Sequence, residues 1–108
     1  MKPAWIDGFK VMLEVTFHPE ASQEYEDAVW WYHERRPKAA ERFRKAVRRR
    51  LDEIAQSLQR WPRLDEDHHF ALVERFPYFI VYVPRVDDVL VVAISHSRRR
   101  PDYWMGRH

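Results

Sequence analysis

Leu13, Val15 and Phe17 alternate with Met12, Glu14 and Thr16. A period of two predicts a strand with one buried face. The period then changes. His18-Pro19-Glu20 opens a helix, with proline in the first turn and acids close behind it, where helix geometry and dipole favour both. Ala21, Tyr25, Ala28 and Tyr32 form one apolar stripe, and Trp30 and Trp31 widen it. Arg36-Pro37 breaks the pattern, because a residue before proline disfavours helical angles.

A second helix follows. Ala40, Phe43, Val47, Leu51, Ile54 and Leu58 recur at helical spacing, with Arg42, Lys45, Arg49, Asp52 and Gln56 on other faces. Phe43, Val47, Leu51 and Ile54 are expected to face a sheet. Trp61-Pro62 ends this helix. The short break between the helices makes them an antiparallel hairpin. Two strands, 69–75 and 79–83, flank Phe76-Pro77-Tyr78, and Pro84 to Asp88 make the next connection. Residues 89–96 are almost continuously apolar, as in a strand buried on both faces. The order is β-α-α-β-β-β. The expected fold is α+β: a small antiparallel sheet, its first and last strands paired antiparallel, with the helix hairpin packed on one face.

The chain has 108 residues, which fits one domain. Residues 1–11 read as an N-terminal extension to a single domain over 12–108, and Met12 is a candidate translation start. There are no cysteines and only two glycines, which excludes disulfides, thiolate metal sites and a glycine-rich phosphate cradle. No apolar window is long enough to span a membrane, so a cytoplasmic protein is the simplest expectation. Net charge is +2, but unevenly placed: residues 12–34 hold six acids and no Lys or Arg, whereas 35–63 hold eleven Lys or Arg and three acids. Such a basic segment is either a solvated helix face or a surface for an acidic partner or polyanion.

Candidate chemistry is sparse. His68 and His69 point to opposite faces of a strand, and no metal-ligand spacing occurs; neither a metal nor a cofactor is expected. In Ser95-His96-Ser97 the serines share one strand face and the histidine takes the other, so they do not make a nucleophile and base. The stretch ISHSRRRPDYW, residues 94–104, says more. Arg98, Arg99 and Arg100 emerge where the buried strand ends, beside Tyr103 and Trp104. Guanidinium groups suit phosphate and stack on aromatic planes. The bland alternative pairs these arginines with the acids of residues 20–34.

VTFHPEASQEYEDAVWWYHERRP, ERFPYFIVYV and VVAISHSRRRPDYWMGR resemble the RelE/ParE toxins of bacterial type II toxin–antitoxin modules. The likeness runs in order from about Met12 to Arg107 and carries the same element order. It implies a single toxin domain that inhibits growth and a cognate antitoxin that holds it inactive, as a hetero-oligomer. It leaves two mechanisms. ParE-like members bind DNA gyrase. RelE-like members cut mRNA, usually on the ribosome, without metal; of that site only Arg98 or Arg99, and Tyr103, match here, and a nuclease would use His96 as general base with Arg75 and Arg98 holding the phosphate. The RelE-like lysines of the second strand are missing here, where apolar and acidic residues occupy 71–74, and Phe79 stands where an arginine is expected on the third strand. Metal-free cleavage must stabilise a doubly negative phosphorane, so the departure favours a ParE-like binder, with the nuclease second and a non-toxic binding module third. Target binding is expected at Arg98, Arg99, Tyr103 and Trp104. Antitoxin binding is expected at Arg42, Lys45 and Arg49.

Overall fold

The computed structural model describes residues 13–108, together with the backbone of 5–6 and 9–10. Candidate start Met12 and its place in the first strand lie outside the described residues. A short antiparallel ribbon, β1 (Trp5–Ile6) and β2 (Phe9–Lys10), precedes β3 (Glu14–Phe17). Two helices follow, α1 (Pro19–Arg35) and α2 (Pro37–Gln56). Then come β4 (His69–Leu72), β5 (Tyr78–Pro84) and β6 (Asp88–His96). The main sheet has the order β3-β6-β5-β4.

Local chemistry fixes the helix ends. The His18 imidazole Nδ1 accepts the Glu20 N–H at 3.1 Å, capping α1, and Pro19 needs no donor there. Arg36 is extended, at φ −160° and ψ 107°, as the following proline requires. It closes α1 and opens α2 in one residue. α2 stops at Gln56, earlier than its apolar stripe suggests, and Leu58 falls in a 3₁₀ turn, Leu58–Arg60.

The sheet is mixed, which corrects the wholly antiparallel expectation. β4, β5 and β6 form an antiparallel meander, but β3 runs parallel to β6, with Val15 opposite Val89 and Phe17 opposite Val91. The cause lies in residues 57–68. A tight turn after α2 would start β4 at the near end of the sheet. Instead the chain runs antiparallel along the outer edge of β4, with Arg63 bridging His69 and the Phe70 N–H bonded to the Pro62 carbonyl at 3.0 Å. It reverses where the Leu64 N–H meets the His68 carbonyl at 2.7 Å, and β4 starts from the far end. The same segment covers an edge that would otherwise offer unpaired backbone groups.

The core has two sides. Against the helices lie Ala71, Val73, Ile80, Tyr82, Val89, Val91 and Ile94, packed on Phe43, Val47 and Ile54. The opposite side holds Val81, Leu90, Val92, Ala93 and Trp104. Val92 and Ala93 are sequence neighbours on one face because the β5–β6 register slips between Val81 and Tyr82. A bulge adds one residue and reverses the alternation after it. Two expectations need correction. Trp30 and Trp31 are 61% and 48% exposed and do not widen the α1 stripe; Val29 is buried instead. Leu51 is only partly buried, unlike Phe43, Val47 and Ile54.

Candidate functional site

The segment after β6 wraps the far face of the sheet. The Arg98 N–H donates to His96 Nδ1 at 3.0 Å, which turns the chain as the strand ends. His96 stacks edge-on to Tyr78, with ring centroids 5.1 Å apart. Trp104 is buried, 4% exposed, and packs on His68 with ring centroids at 4.6 Å. The expected surface role for Trp104 therefore becomes an anchoring one: its ring holds the segment against Val81, Leu90 and Val92. Arg98 and Arg100 stay exposed and have no ionic partner among the described residues.

Arg99 and Arg107 are tied down by one carboxylate. Glu24 of α1 accepts from Arg99 at 3.2 Å, from Arg107 at 3.1 Å and from the Ile94 N–H at 3.0 Å. Arg107 also donates to the Val92 carbonyl at 2.9 Å and pairs with Glu20 at 3.2 Å. Val92 and Ile94 lie past the last β3 pair, Phe17 with Val91, so among the described residues β6 has no strand neighbour on its β3 side there, while β5 pairs with its other edge. Glu24 and Arg107 supply the backbone partners that a longer β3 would have supplied. The intramolecular reading thus holds for Arg99 and not for Arg98 or Arg100.

Tyr103 sits between these arginines, with the Arg99 guanidinium 3.7 Å from its ring centre and that of Arg107 at 5.0 Å. Its hydroxyl is buried without a hydrogen-bond partner. Burial, above all, pushes its pKa up from the usual tyrosine value. The ring offers an electron-rich plane for guanidinium stacking. Beside it lies a pocket of about 310 Å³, lined by Phe70, Phe79, Val81 and Trp104 and rimmed by Ser95, Arg99 and Asp102.

On the helix side an open groove of about 590 Å³ runs between α2 and the β4–β5 turn. Arg42, Lys45 and Arg49, expected to meet the antitoxin, line it together. Arg75 lines it too. Arg75 occupies the third position of the turn closed by the Phe76 N–H on the Val73 carbonyl at 3.1 Å, with φ +68°. Left-handed angles there suit glycine or asparagine, and they aim the arginine at α2.

Arg42, Lys45, Arg49 and Arg75 thus share one groove. His96 borders the pocket beside Trp104 and Arg99 while its ring meets Tyr78, and no hydrogen bond or ring contact joins His96 to Tyr103 among the described residues. Arg107 escaped the sequence reading, and Glu24 entered it only as one of the acids of residues 20–34. Glu24 had a signal, a charge close to the apolar stripe of Ala21, Tyr25 and Ala28; Arg107 had none.

A family model described as ParE toxin of type II toxin–antitoxin system, parDE, matches residues 15–101. A solved structure described as a chromosomal ParDE toxin–antitoxin system from P. aeruginosa superposes with TM-score 0.68, at 15% identity, over 79% of this chain and 96% of that one. No curated protein matches the sequence.

Proposed function

We propose that this chain, which belongs to the ParE toxin family of type II toxin–antitoxin systems, inhibits growth by occupying its target and not by cutting it. The target that fits such a mechanism is DNA gyrase. The observation that carries the reading is the Tyr103 ring stacked under the Arg99 guanidinium, next to the exposed Arg98 and Arg100, which have no ionic partner among the described residues. This surface is built to hold cations rigidly against a partner. Among the described residues no hydrogen bond assembles His96 and Tyr103 into an acid–base pair. A rigid mount lowers the ordering cost of binding, and the buried Trp104 and the Glu24 network provide that mount.

The family has an antitoxin partner. Its docking site here is the groove that gathers Arg42, Lys45 and Arg49, whose charge fits an acidic, amphipathic helix.

The test is expression without antitoxin of wild type, Arg98→Ala, Arg99→Ala, Arg100→Ala and Tyr103→Phe, each first checked for folding. Loss of growth arrest in Arg98→Ala or Arg100→Ala, with cleaved DNA–gyrase complexes and intact mRNA in wild type, is the expected result. Rapid mRNA cutting that depends on His96 and Tyr103 would replace the binding mechanism with the nuclease. Absence of toxicity in wild type would leave a silent binding module.

A further inference from the structure

The groove beside α2 holds more than a run of basic side chains. Ala39, Arg42, Ala46, Arg49 and Glu53 recur at helical spacing and form one wall; Glu74, Arg75 and Phe76 form the other. Alanines at that spacing let another backbone approach α2 closely. Arg50 is already committed, to Glu53 at 3.3 Å and to the Leu72 carbonyl at 2.7 Å. Arg42, Lys45, Arg49 and Arg75 have no ionic partner among the described residues. Like charges so gathered repel one another until an anion joins them.

Arg75 adds an independent observation. Its φ of +68° is unfavourable for a long side chain and easy for glycine. Strain of this kind persists where the surroundings over-determine it, commonly at binding sites. Folding alone gains nothing from arginine at this position, since the guanidinium makes no internal hydrogen bond among the described residues.

We infer that this groove takes an acidic amphipathic peptide segment, with apolar side chains on Ala39, Ala46 and Phe76 and a carboxylate held by Arg75 opposite Arg42 and Arg49, and that Arg75 selects for that acid. The inference rests on the reading of this face as the antitoxin's. It adds the turn as a second wall and names the residue that discriminates. Glu53 and Glu74 argue for a peptide over a nucleic acid, because a continuous polyphosphate meets both carboxylates, whereas a peptide places its acids selectively. A planar guanidinium reads a carboxylate through two parallel hydrogen bonds.

The experiment uses the full chain and the antitoxin encoded beside its gene. Arg75→Gly removes the guanidinium and relaxes the backbone; Arg75→Asn removes it and keeps a residue that tolerates left-handed angles. The expected result is a Kd raised about tenfold or more in both variants, mainly through faster dissociation, with melting temperature equal to or above wild type. A Kd within about twofold of wild type in either folded variant overturns the inference, as does a lowered melting temperature in both, which would make Arg75 structural. Wild type that fails to bind the antitoxin, or Arg42, Lys45 and Arg49→Glu variants that bind it normally, would overturn the antitoxin reading itself. A short labelled oligonucleotide bound more tightly than the antitoxin, and released by Arg75→Gly, overturns the peptide occupant in favour of a polyanion.

Discussion

Replacing Glu24 with alanine should unfasten the end of the molecule. The Glu24 side chain is 12% exposed and that of Arg107 10%, so their pairing is poorly screened by water. Without the carboxylate, Arg107 stays among apolar neighbours with only Glu20 and the Val92 carbonyl as partners, and the Ile94 N–H loses its acceptor. Breaking a buried pair costs about 3–5 kcal/mol. An unpaired buried N–H alone accounts for about 1–3 kcal/mol of that. The Arg99 bond, whose arginine is 52% exposed, adds less than about 1 kcal/mol. These effects share one carboxylate and do not sum, so about 3–5 kcal/mol is the expected total. At roughly 4–8 °C per kcal/mol for a domain of this size, the melting midpoint falls by at least about 12 °C. Glu24→Gln keeps an acceptor for Ile94 and should lose less. Thermal and urea unfolding followed by circular dichroism measure both. A double-mutant cycle with Arg107→Ala should give a coupling of about 1–3 kcal/mol. A loss below about 1 kcal/mol in Glu24→Ala, or strict additivity in the cycle, would refute the argument.

Ile54→Ala, at a position fully buried against the sheet, should cost about 2–5 kcal/mol in urea unfolding, and Leu51→Ala, only partly buried, distinctly less. Trp104→Ala should cost about 3–5 kcal/mol through lost packing; a small midpoint shift would return Trp104 to the exposed surface. The Arg85 guanidinium, hydrogen-bonded to Asp88, holds that carboxyl below the usual aspartate range, and Thr16 donates to it as well. A depressed folded pKa gives stability that is present above the unfolded value of about 3.9 and lost as pH falls through the folded one. Wild type should therefore lose stability in acid, below about pH 4, more steeply than Asp88→Asn; equal slopes would show that Asp88 is not the linked group.

Element order was legible because the chain changes period at its prolines. Alternation to Phe17, the Pro19 start and the Arg36-Pro37 break are local, and local sterics settled them. The direction of β3 was not local. It depends on the path of residues 57–68, fixed by backbone bonds between Pro62 and Phe70 and between Leu64 and His68. No periodicity encodes those bonds. Trp104 was misplaced because an aromatic beside arginines resembles a binding surface, whereas the far face of β6 needed a cover. The place of Arg75 in the α2 groove was not legible, because nothing in its identity announces a positive φ. Arg42, Lys45 and Arg49 line one groove because a helix places side chains by arithmetic.

The contacts that complete β6 also have a bearing on time. Arg107 meets Glu24 across 83 residues of sequence, and Thr16 meets Asp88 across 72. Closing loops of that length carries an entropic cost before any contact offsets it. Such contacts therefore tend to form after the barrier to folding has been crossed, when the local meander and helix hairpin are already in place. Interactions absent from the transition state leave the folding rate nearly untouched and slow unfolding instead. The clasp of Glu24 on Arg107 is thus a determinant of lifetime: it sets how long a toxin stripped of its antitoxin stays folded, and hence armed.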